Sequence, residues 1–310
     1  MKSPVRCSES VQEALRFRKC YTFVNMLTTA VSIRPASPAD RFRLDHLIHS
    51  THILHNHLDW RPPHEWLGQR PFHFALLGDR VVGALAAPPD PPGVAWIRLA
   101  AVAAGYPIDG ILNLLWDATL ESWIDLRVSQ VSCMLIDHWL KPHLQRRGFA
   151  LLNDVIVLRR QRGAARPVAG SLVDGVRLRS AKSSDIEAMT AADNAAFAPP
   201  WQYSASVIQR AMGQARFATV AEAGKEVVGY QISSGGREGG HLARLAVYPH
   251  LQGQGIGRAL VSQVVEHFER RGASQISVNT QRDNAPSIAI YRAFGFEITD
   301  EHYEVWQFTL

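Results

Sequence analysis

In the C-terminal half of the chain, hydrophobic and polar residues follow the periods of strands and helices in turn. Two alternating runs, Phe217 to Glu222 and Glu226 to Ser233, flank a Gly224-Lys225 turn and predict a β-hairpin. Apolar residues then recur every four positions from Ile256 to Phe268 with polar residues opposite, which predicts an amphipathic helix ending at Gly272. Strands and helices are interleaved, so the pattern predicts an α/β fold around a mixed sheet.

The same periods place further elements in this half. The paired glycines at 235–236 and 239–240 predict a flexible hairpin end. The other elements are a strand from Val176 to Arg179, a helix from Ser183 or Ser184 to Ala196, a strand from Leu242 to Tyr248, a strand through Ile276 and Val278, a short helix from Pro286 to Phe294, and a last strand through Trp306, Phe308 and Leu310.

The sequence also repeats itself. Matched stretches recur 145 to 147 positions apart and in the same order. Because the offsets agree, we expect one fold to be used twice. The matched pairs are Ile33-Arg34-Pro35-Ala36 with Leu178-Arg179-Ser180-Ala181, Asp40 with Asp185, Val81-Val82-Gly83 with Val227-Val228-Gly229, Arg98-Leu99-Ala100 with Arg244-Leu245-Ala246, Ser129-Gln130-Val131-Ser132 with Ser274-Gln275-Ile276-Ser277, and Gly148-Phe149 with Gly295-Phe296.

The two copies are joined by a stretch without hydrophobic period. The segment from Arg159 to Gly175 is rich in arginine and also contains glycine and proline, which favours a solvated linker over a nucleic-acid-binding segment. We therefore expect an N-terminal extension at residues 1–30, a first copy at 31–160, a linker at 161–175 and a second copy at 176–310.

Composition narrows the class of protein. The 310 residues are 46% hydrophobic and 20% charged, as in ordinary soluble proteins, and the formal charge of +5 suits an anionic small ligand as well as nucleic acid. No run approaches the ~18 apolar residues of a membrane span, and the first 30 residues lack a signal-peptide pattern. The cysteines, Cys7, Cys20 and Cys133, fit neither a disulfide framework nor a zinc site. We expect a cytoplasmic protein without a membrane partner.

One loop carries candidate chemistry. The run Gln252-Gly253-Gln254-Gly255-Ile256-Gly257 lies between a predicted strand and the amphipathic helix, followed by Arg258. Glycines let the backbone approach a ligand, the first N–H groups of a helix lack partners, and the helix dipole favours an anion. These features predict a pyrophosphate site. The loop lacks the Lys-Ser/Thr of a P-loop and the acidic residue of a dinucleotide-binding fold.

With its neighbours, this loop resembles a known family. Leu245-Ala246-Val247-Tyr248-Pro249, the Gln-x-x-Gly-x-Gly loop, Asn284 and Tyr291-Arg292-Ala293-Phe294-Gly295-Phe296 resemble the GNAT N-acetyltransferase superfamily. The resemblance is strong over residues 176–310 and extends through the repeat to about residues 31–160. It implies two tandem GNAT-like domains, each a mixed, mostly antiparallel sheet flanked by helices.

The resemblance also implies roles for individual residues. The loop would bind the pyrophosphate of acetyl-CoA, and the backbone of Leu245, Ala246 and Val247 would pair with its pantetheine arm. Asn284 would contact that arm. Tyr291 would lie near the thioester sulfur, where a phenol that stays protonated at neutral pH can act as a general acid. The family's acceptor wall corresponds to a region containing the candidate substrate contacts Trp201 and Tyr203.

The general base stays open. Some members that act on ribosomal-protein N-termini carry a glutamate where this chain has Asn279, which accepts no proton usefully. Other candidates lie in or beside predicted strands: Glu222, His241, Glu301, His302 and Glu304. Residues 176–310 contain no cysteine, so an acetyl-cysteine intermediate cannot form in the second copy. Direct attack in a ternary complex is the expected route.

The first copy has lost the site residues. Shifted by the repeat, Gly255 becomes Asp109, Gly257 becomes Ile111 and Tyr291 becomes Leu144. A carboxylate repels pyrophosphate and a β-branched residue blocks close approach, so this copy should not bind acyl-CoA. Its histidines recur at spacings of three, which predicts pairs on a helix face in exposed or capping roles, with no metal site. The pairs are His46 with His49 and His52 with His55.

Together these features predict an enzyme that transfers acetyl from acetyl-CoA to a primary amine. The acceptor is either a protein N-terminus or a small amine such as an antibiotic or a thiol precursor. A non-catalytic acyl-CoA-binding regulator is the alternative, because the family's glutamate is missing. Neither a metal nor nucleic acid is expected as a partner, and the layout allows a homodimer.

Overall fold

The computed structural model describes residues 30–165, 175–236 and 239–310. Residues 1–29 of the predicted extension, 166–174 of the predicted linker and 237–238 of the predicted glycine loop lie outside the described residues. The described chain divides into two compact units. The first holds residues 30–57, 62–88 and 97–127, and the second holds 58–61, 89–96 and the described part of 128–310.

The first unit is an antiparallel sheet with two helices. It contains β1 (Val31–Pro35), β2 (Ile53–Asn56), β3 (Phe72–Leu77), β4 (Arg80–Ala86), β6 (Leu99–Val102), α1 (Arg41–Ser50) and α2 (Ile108–Asp125). The strands are ordered β1-β3-β4-β6-β2. Buried Ile111 and Leu115 of α2 lie against Gly83 of β4, where no side chain stands in their way.

The second unit contains a larger mixed sheet. Its strands are β5 (Val94–Trp96), β7 (Gln130–Met134), β8 (Ala150–Gln161), β9 (Val176–Ser180), β10 (Phe217–Ala223), β11 (Glu226–Gly235), β12 (Gly239–Val247), β13 (Gln275–Gln281) and β14 (Glu297–Thr309). Its helices are α3 (Lys141–Arg146), α4 (Ile186–Ala196), α5 (Ala205–Gln214), α6 (Ile256–Arg270) and α7 (Ala285–Ala293). The order is β5-β7-β14-β8-β13-β12-β11-β10-β9, and only the β5–β7 and β12–β13 pairs are parallel. The predicted α/β fold with mostly antiparallel sheets is confirmed.

Helices cover both faces of this sheet around β12. Leu245 and Val247 pack with Ile256 and Leu260 at the start of α6. Ala246, between them, packs instead with residues of α4 and α5. Successive residues of a strand point to opposite faces, so β12 separates an α6 side from an α4–α5 side.

The two sequence copies exchange their last strands inside the second unit. β8, from the first copy, lies between β13 and β14 of the second copy, and β14 also pairs with β7 of the first. Residues 128–161 therefore belong to the same compact unit as the second copy. Pairing of strands so distant in sequence cannot be read from local periodicity, and the domain boundaries drawn from the repeat stay a prediction.

The repeat is visible in matched ion pairs. In the first unit, Arg34 forms a fork with Asp40, at 2.8 and 2.7 Å, and the backbone N–H of Ser37 donates to the same carboxylate. In the second unit, Arg179 forms the same fork with Asp185, at 2.7 and 2.9 Å. Each arginine lowers the pKa of its aspartate through these hydrogen bonds, and the pKa of Asp40 lies well below its usual range.

The linker prediction is wrong at its N-terminal end. Arg159 and Arg160 were expected in a solvated linker, but both lie in β8. Arg160 is 1% exposed and donates to the carboxylate of Glu269 at 2.7 Å and to the carbonyl of Phe294 at 2.6 Å, so its buried charge is compensated. The predicted hairpin and amphipathic helix are confirmed.

The histidine prediction fails in part, because α1 ends at Ser50, before His52. His55 lies instead in β2, where it is buried with its Nε2 3.1 Å from the carbonyl oxygen of Ile97. A further helix, α5, was not predicted. It begins after Ser204, whose hydroxyl accepts a hydrogen bond from Val207 N–H.

Candidate active site

The glycine loop forms a tight turn between β12 and α6. Gly253 and Gly255 have φ values of 78° and 83°, a left-handed conformation that a Cβ disfavours. Gly255 is the N-cap of α6, and the first helical bond runs from Ala259 N–H to its carbonyl at 2.9 Å. The N–H groups before Ala259 have no helical carbonyl to bind, so they remain available for an anion.

Gly257 is not explained by protein packing. A Cβ there would lie 3.5 Å from Ile290, 3.9 Å from Leu245 and 4.0 Å from Val247, all ordinary contacts. The neighbouring glutamines fix the turn, because Gln252 donates to the carbonyl of Val247 at 3.0 Å. Gln254 donates to the carbonyl of His250 at 3.4 Å. The protein neighbours of Gly257 therefore do not require a glycine at this position.

β12 has an open backbone edge beside this turn. Its parallel pairing with β13 runs from Gly239 to Leu242, opposite Val278, and stops there. Beyond that point β12 keeps β11 as its partner, with Leu245, Ala246 and Val247 all in register. In an antiparallel pair, alternate residues turn their N–H and C=O groups away from the partner. The edge at Leu245–Val247 can therefore bond an extended ligand.

α7 carries the two other predicted residues. Asn284 caps the helix: its Oδ1 accepts from Ser287 N–H at 3.3 Å, and its Nδ2 donates to Thr280 Oγ1 at 3.1 Å. Tyr291 is 5% exposed, and burial raises its pKa to about 12, partly offset by its hydrogen bond with Ser287 and the charge of Arg244. Its phenol therefore keeps its proton at neutral pH.

Arg258, in the first turn of α6, lies over the aromatic ring of Phe294. Its guanidinium carbon is 5.7 Å from the ring centroid of Phe294, which follows α7. This contact holds a positive charge near the start of α6, where the helix dipole already favours an anion.

Trp201 and Tyr203 follow α4 on the side of the sheet away from α6. The ring of Trp201 lies 5.6 Å from that of Trp96, and Trp96 Nε1 donates to the carbonyl of Pro200 at 3.1 Å. The backbone N–H of Tyr203 donates to the buried carboxylate of Asp193 at 2.8 Å. The two predicted acceptor contacts thus belong to one loop that is fixed at both ends.

The sequence analysis missed Arg244 and Asp193. The Arg244 guanidinium donates to both carboxylate oxygens of Asp193, at 2.7 and 2.8 Å, and lies 3.7 Å from the Phe197 ring and 4.0 Å from the Tyr203 ring. A signal existed, because Arg98-Leu99-Ala100 repeats as Arg244-Leu245-Ala246.

Most of the candidate bases are engaged by cations. Glu222 binds Arg177 and Arg179, Glu301 binds Arg159, and Glu304 binds Lys141. His302 contacts Asp154. The cations hold the three glutamates in ion pairs, and the pKa values of Glu222 and Glu304 are lowered through their hydrogen bonds with those cations.

His241 differs from these groups. Its Nδ1 lies 2.9 Å from the hydroxyl of Ser277, directly opposite on β13, one residue before the two strands part. The preceding Gly240 faces Phe268 of α6, so His241 points to the α4–α5 side. Burial lowers the pKa of its imidazole, opposed by its contact with Ser277, which leaves it neutral at pH 7.

One cysteine lies in the second unit after all. Cys133, on β7, is fully buried, and burial raises the pKa of its thiol. A buried thiol with a raised pKa is a poor nucleophile, so the expectation of direct transfer is unchanged. Within the described ranges no cluster of three or more His, Cys, Asp and Glu could hold a metal. No described helix is long and apolar enough to cross a membrane.

The corresponding turn of the first unit is filled. In the repeat, Ile111 corresponds to Gly257. Its side chain packs so closely on Gly83 that a Cβ on Gly83 would overlap Cγ2 of Ile111. Asp109 lies in the first turn of α2. The edge of β6 that corresponds to Leu245–Val247 is paired along its whole length with β2, from Leu99 opposite Asn56 to Val102 opposite Ile53. In the first unit, the side chain of Ile111 is thus packed in the core and strand β2 covers the edge of β6.

Comparison with known proteins finds sequences similar to this chain. The family model described as Acetyltransferase (GNAT) family matches residues 186–296. Mycothiol acetyltransferase of Saccharomonospora viridis is 34% identical over 154 residues, 43% of this chain and 50% of that protein. Mycothiol acetyltransferase of Kocuria rhizophila is 26% identical over 254 residues, 72% of this chain and 80% of that protein. The chain thus spans half the length of the first of these relatives.

A solved structure shares the fold. A tandem GNAT protein from the clavulanic acid biosynthesis pathway has a TM-score of 0.59 and 16% identity, over 90% of this chain and 98% of that one. The strand, the glycine turn and both helices of the open site lie inside the matched family segment. Residues 186–296 of this chain are thus similar in sequence to the GNAT acetyltransferase family.

Proposed function

We propose that the second unit transfers an acetyl group from acetyl-CoA to a primary amine by direct attack in a ternary complex. The observation that carries the proposal is the open edge of β12 at Leu245–Val247, which leads into the glycine turn at the start of α6. An extended pantetheine arm can pair with that edge while its pyrophosphate meets the free helix N–H groups.

The residues present fit this donor. Gln252, Gly253, Gln254, Gly255 and Ile256 shape a turn that leaves the first N–H groups of α6 unbonded, and Gly257 leaves the space that a side chain would fill. Arg258 adds positive charge, and Asn284 fixes the start of α7 beside the arm. When bound, acetyl-CoA supplies the reactive acetyl thioester.

Tyr291 is the proposed general acid. Its buried phenol keeps its proton at neutral pH, because burial raises its pKa to about 12. The departing thiolate takes up one proton to become the free thiol, and a phenol held nearby can donate that proton.

His241 is the proposed general base, acting directly or through a water. It has a neutral hydroxyl as partner, whereas the other candidates are tied to cations or, for His302, to a carboxylate. Because burial lowers its pKa, the imidazole accepts a proton at neutral pH and loses this ability only in acid. His241→Gln should reduce kcat/KM about 100-fold at pH 7.5 and remove the acid limb of the pH profile.

A small amine is the proposed acceptor. The two relatives reported above bear the name mycothiol acetyltransferase, which favours a small thiol precursor over a protein N-terminus. The aromatic side chains of Trp201 and Tyr203 are proposed to line the acceptor side. The first copy, whose edge is closed, would then serve as scaffold, since its strand β8 completes the sheet of the second unit.

The experiment incubates the full chain with acetyl-CoA and a panel of acceptors, and detects acetylated products by mass spectrometry. The panel contains small aminothiols, amino sugars and a peptide with a free N-terminus. Turnover of a small amine supports the proposal, and turnover of the peptide alone overturns the choice of acceptor. Binding of acetyl-CoA without turnover of any amine favours the non-catalytic regulator.

A further inference from the structure

Arg244 links the open edge of β12 to the loop after α4. It immediately precedes Leu245, and its side chain crosses to the α4–α5 side, where it donates to Asp193 and, at 2.6 Å, to the carbonyl of Trp201. The guanidinium lies between the rings of Phe197 and Tyr203, 3.7 and 4.0 Å from their centroids. One side chain thus contacts the first, fifth and seventh residues of that loop.

Asp193 completes this network from the last turns of α4. It is fully buried and accepts from Arg244, from the backbone N–H of Tyr203 at 2.8 Å and from the phenol of Tyr230 at 2.6 Å. Each carboxylate oxygen has two donors, so the buried charge is compensated. The network spans α4, the following loop, β11 and β12.

Stability alone does not account for such a network. Replacing a buried ion pair by apolar side chains of similar volume is often neutral or stabilising, because burial of two charges is costly. What apolar packing does not supply is direction: two parallel bonds to a carboxylate and one to a carbonyl fix the loop in a single orientation.

The first copy offers an internal control. Arg98 corresponds to Arg244 by the repeat, but the position of Asp193 corresponds to Ile48. Arg98 lies 4.9 Å from the Trp66 ring centroid and its copy has the closed edge. The arginine is thus present in both copies, whereas the position of Asp193 holds a carboxylate only in the copy with the open edge.

We propose that Arg244 is a positioning residue for the amine acceptor. Through Asp193 and the Trp201 carbonyl, it holds the loop from Phe197 to Tyr203 at a fixed place relative to the thioester-binding edge of β12. This proposal rests on the proposed function, because the loop is there assigned to the acceptor side. Arg244 contacts the loop and acts through it.

The test uses Arg244→Lys in the full chain, which keeps the charge but loses the fork. We expect KM for the amine to rise at least about tenfold, while kcat and the affinity for acetyl-CoA stay within about threefold. Hydrogen exchange in residues 197–203 should become faster, because the Tyr203 N–H is held by Asp193. Arg270→Lys is the matched control, since Arg270 pairs with Glu266 on the exposed surface of α6.

A double variant separates positioning from packing. Arg244→Met with Asp193→Leu replaces the ion pair by apolar groups and should fold even where a single charge removal does not. A double variant that folds and has a raised KM for the amine supports the proposal. A folded double variant whose KM for the amine equals that of the wild-type chain overturns it. Unchanged KM and unchanged exchange in a folded Arg244→Lys variant also overturn it. No turnover by the wild-type chain contradicts the proposed function instead.

Discussion

The chain contains two versions of one strand–turn–helix, and only one is open. In the second unit, β12 parts from β13 at Leu242 and turns through Gly255 into α6. In the first unit, β6 leads into α2 through Pro107, with Asp109 in the first turn and Ile111 buried against Gly83. The framework is the same, but the second version leaves backbone groups and space where the first has side chains and a strand.

The difference shows how a fold loses a ligand site while staying stable. Ile111 is part of the hydrophobic core at the position where the second copy has Gly257. Strand β2 forms hydrogen bonds with the edge of β6 that would otherwise stay unpaired. A closed edge and a filled gap both stabilise the protein without a ligand. An open edge leaves backbone groups for a ligand to bond, so the open version is the one that can bind.

Gly255→Asp gives the largest expected effect, because it installs the first-copy residue in the open turn. Affinity for acetyl-CoA should fall on the order of 1,000-fold, since a side chain at φ 83° is strained and the carboxylate repels pyrophosphate. Calorimetric titration measures it. Gly224→Asp is the control, at φ 63° in the β10–β11 turn with open space around it, and should stay within about twofold. Wild-type affinity for Gly255→Asp contradicts the assignment of the turn.

Ile111→Ala tests the closed copy from the other side. Loss of this buried side chain should lower the free energy of unfolding by about 3 kcal/mol, as other large-to-small core changes do. Urea unfolding measures the loss. We expect no second acetyl-CoA site, because β2 still covers the edge of β6. A second site in this variant would show that Ile111 alone closes the copy.

Tyr291→Phe removes the proton donor that the first copy lacks at Leu144. Turnover should fall about 100-fold while acetyl-CoA affinity stays within twofold, because only the phenol oxygen is lost. The raised pKa of about 12 predicts that Tyr291 causes no loss of wild-type activity at mildly alkaline pH. Steady-state kinetics across pH measures both. Full turnover in the variant would exclude the acid role.

Gly257→Ile transfers the gap-filling residue to the open copy. Acetyl-CoA affinity should fall about 30-fold, within the usual cost of overpacking. Gly257→Ala is the matched control, because its Cβ meets neighbours at 3.5 to 4.0 Å and needs no rearrangement. If both variants lost the same affinity for acetyl-CoA, the cause would be a change in the helix itself and not the volume of the isoleucine side chain.

The smallest effects should be equal in the two copies. Asp40→Asn and Asp185→Asn each remove a charged fork and should lower the free energy of unfolding by about 1.5 kcal/mol. Because both carboxylates have lowered pKa values, their contribution is present above the usual aspartate range and is lost as pH falls. Urea unfolding at pH 7 and pH 3 measures it. A large effect in one copy only would contradict a shared framework.

Local signals made part of this structure predictable. The hairpin around Gly224 and the helix from Ile256 depend on periods and turn residues within a few positions, and both are confirmed. The glycine turn could be predicted because it depends on residues within one short run, whereas its role in ligand binding stays a prediction. The sequence repeat also showed that the first copy has Asp109 and Ile111 in place of two glycines of the turn.

Long-range pairing was not predictable in the same way. The pairing of β8 with β14 joins strands far apart in sequence, and β2 pairs with β6 although β3, β4 and β5 lie between them in sequence. Arg160 was misread because arginine, glycine and proline nearby indicate a linker, whereas its acceptors lie on other elements. The link from Arg244 to Asp193 likewise depends on how α4 packs on β12.

Stoichiometry tests the central claim most directly. Calorimetric titration of the full chain with acetyl-CoA should give one site per chain, and Gly255→Asp should abolish it. One site that survives Gly255→Asp, or two sites in the wild-type chain, would contradict the account of one open and one closed copy.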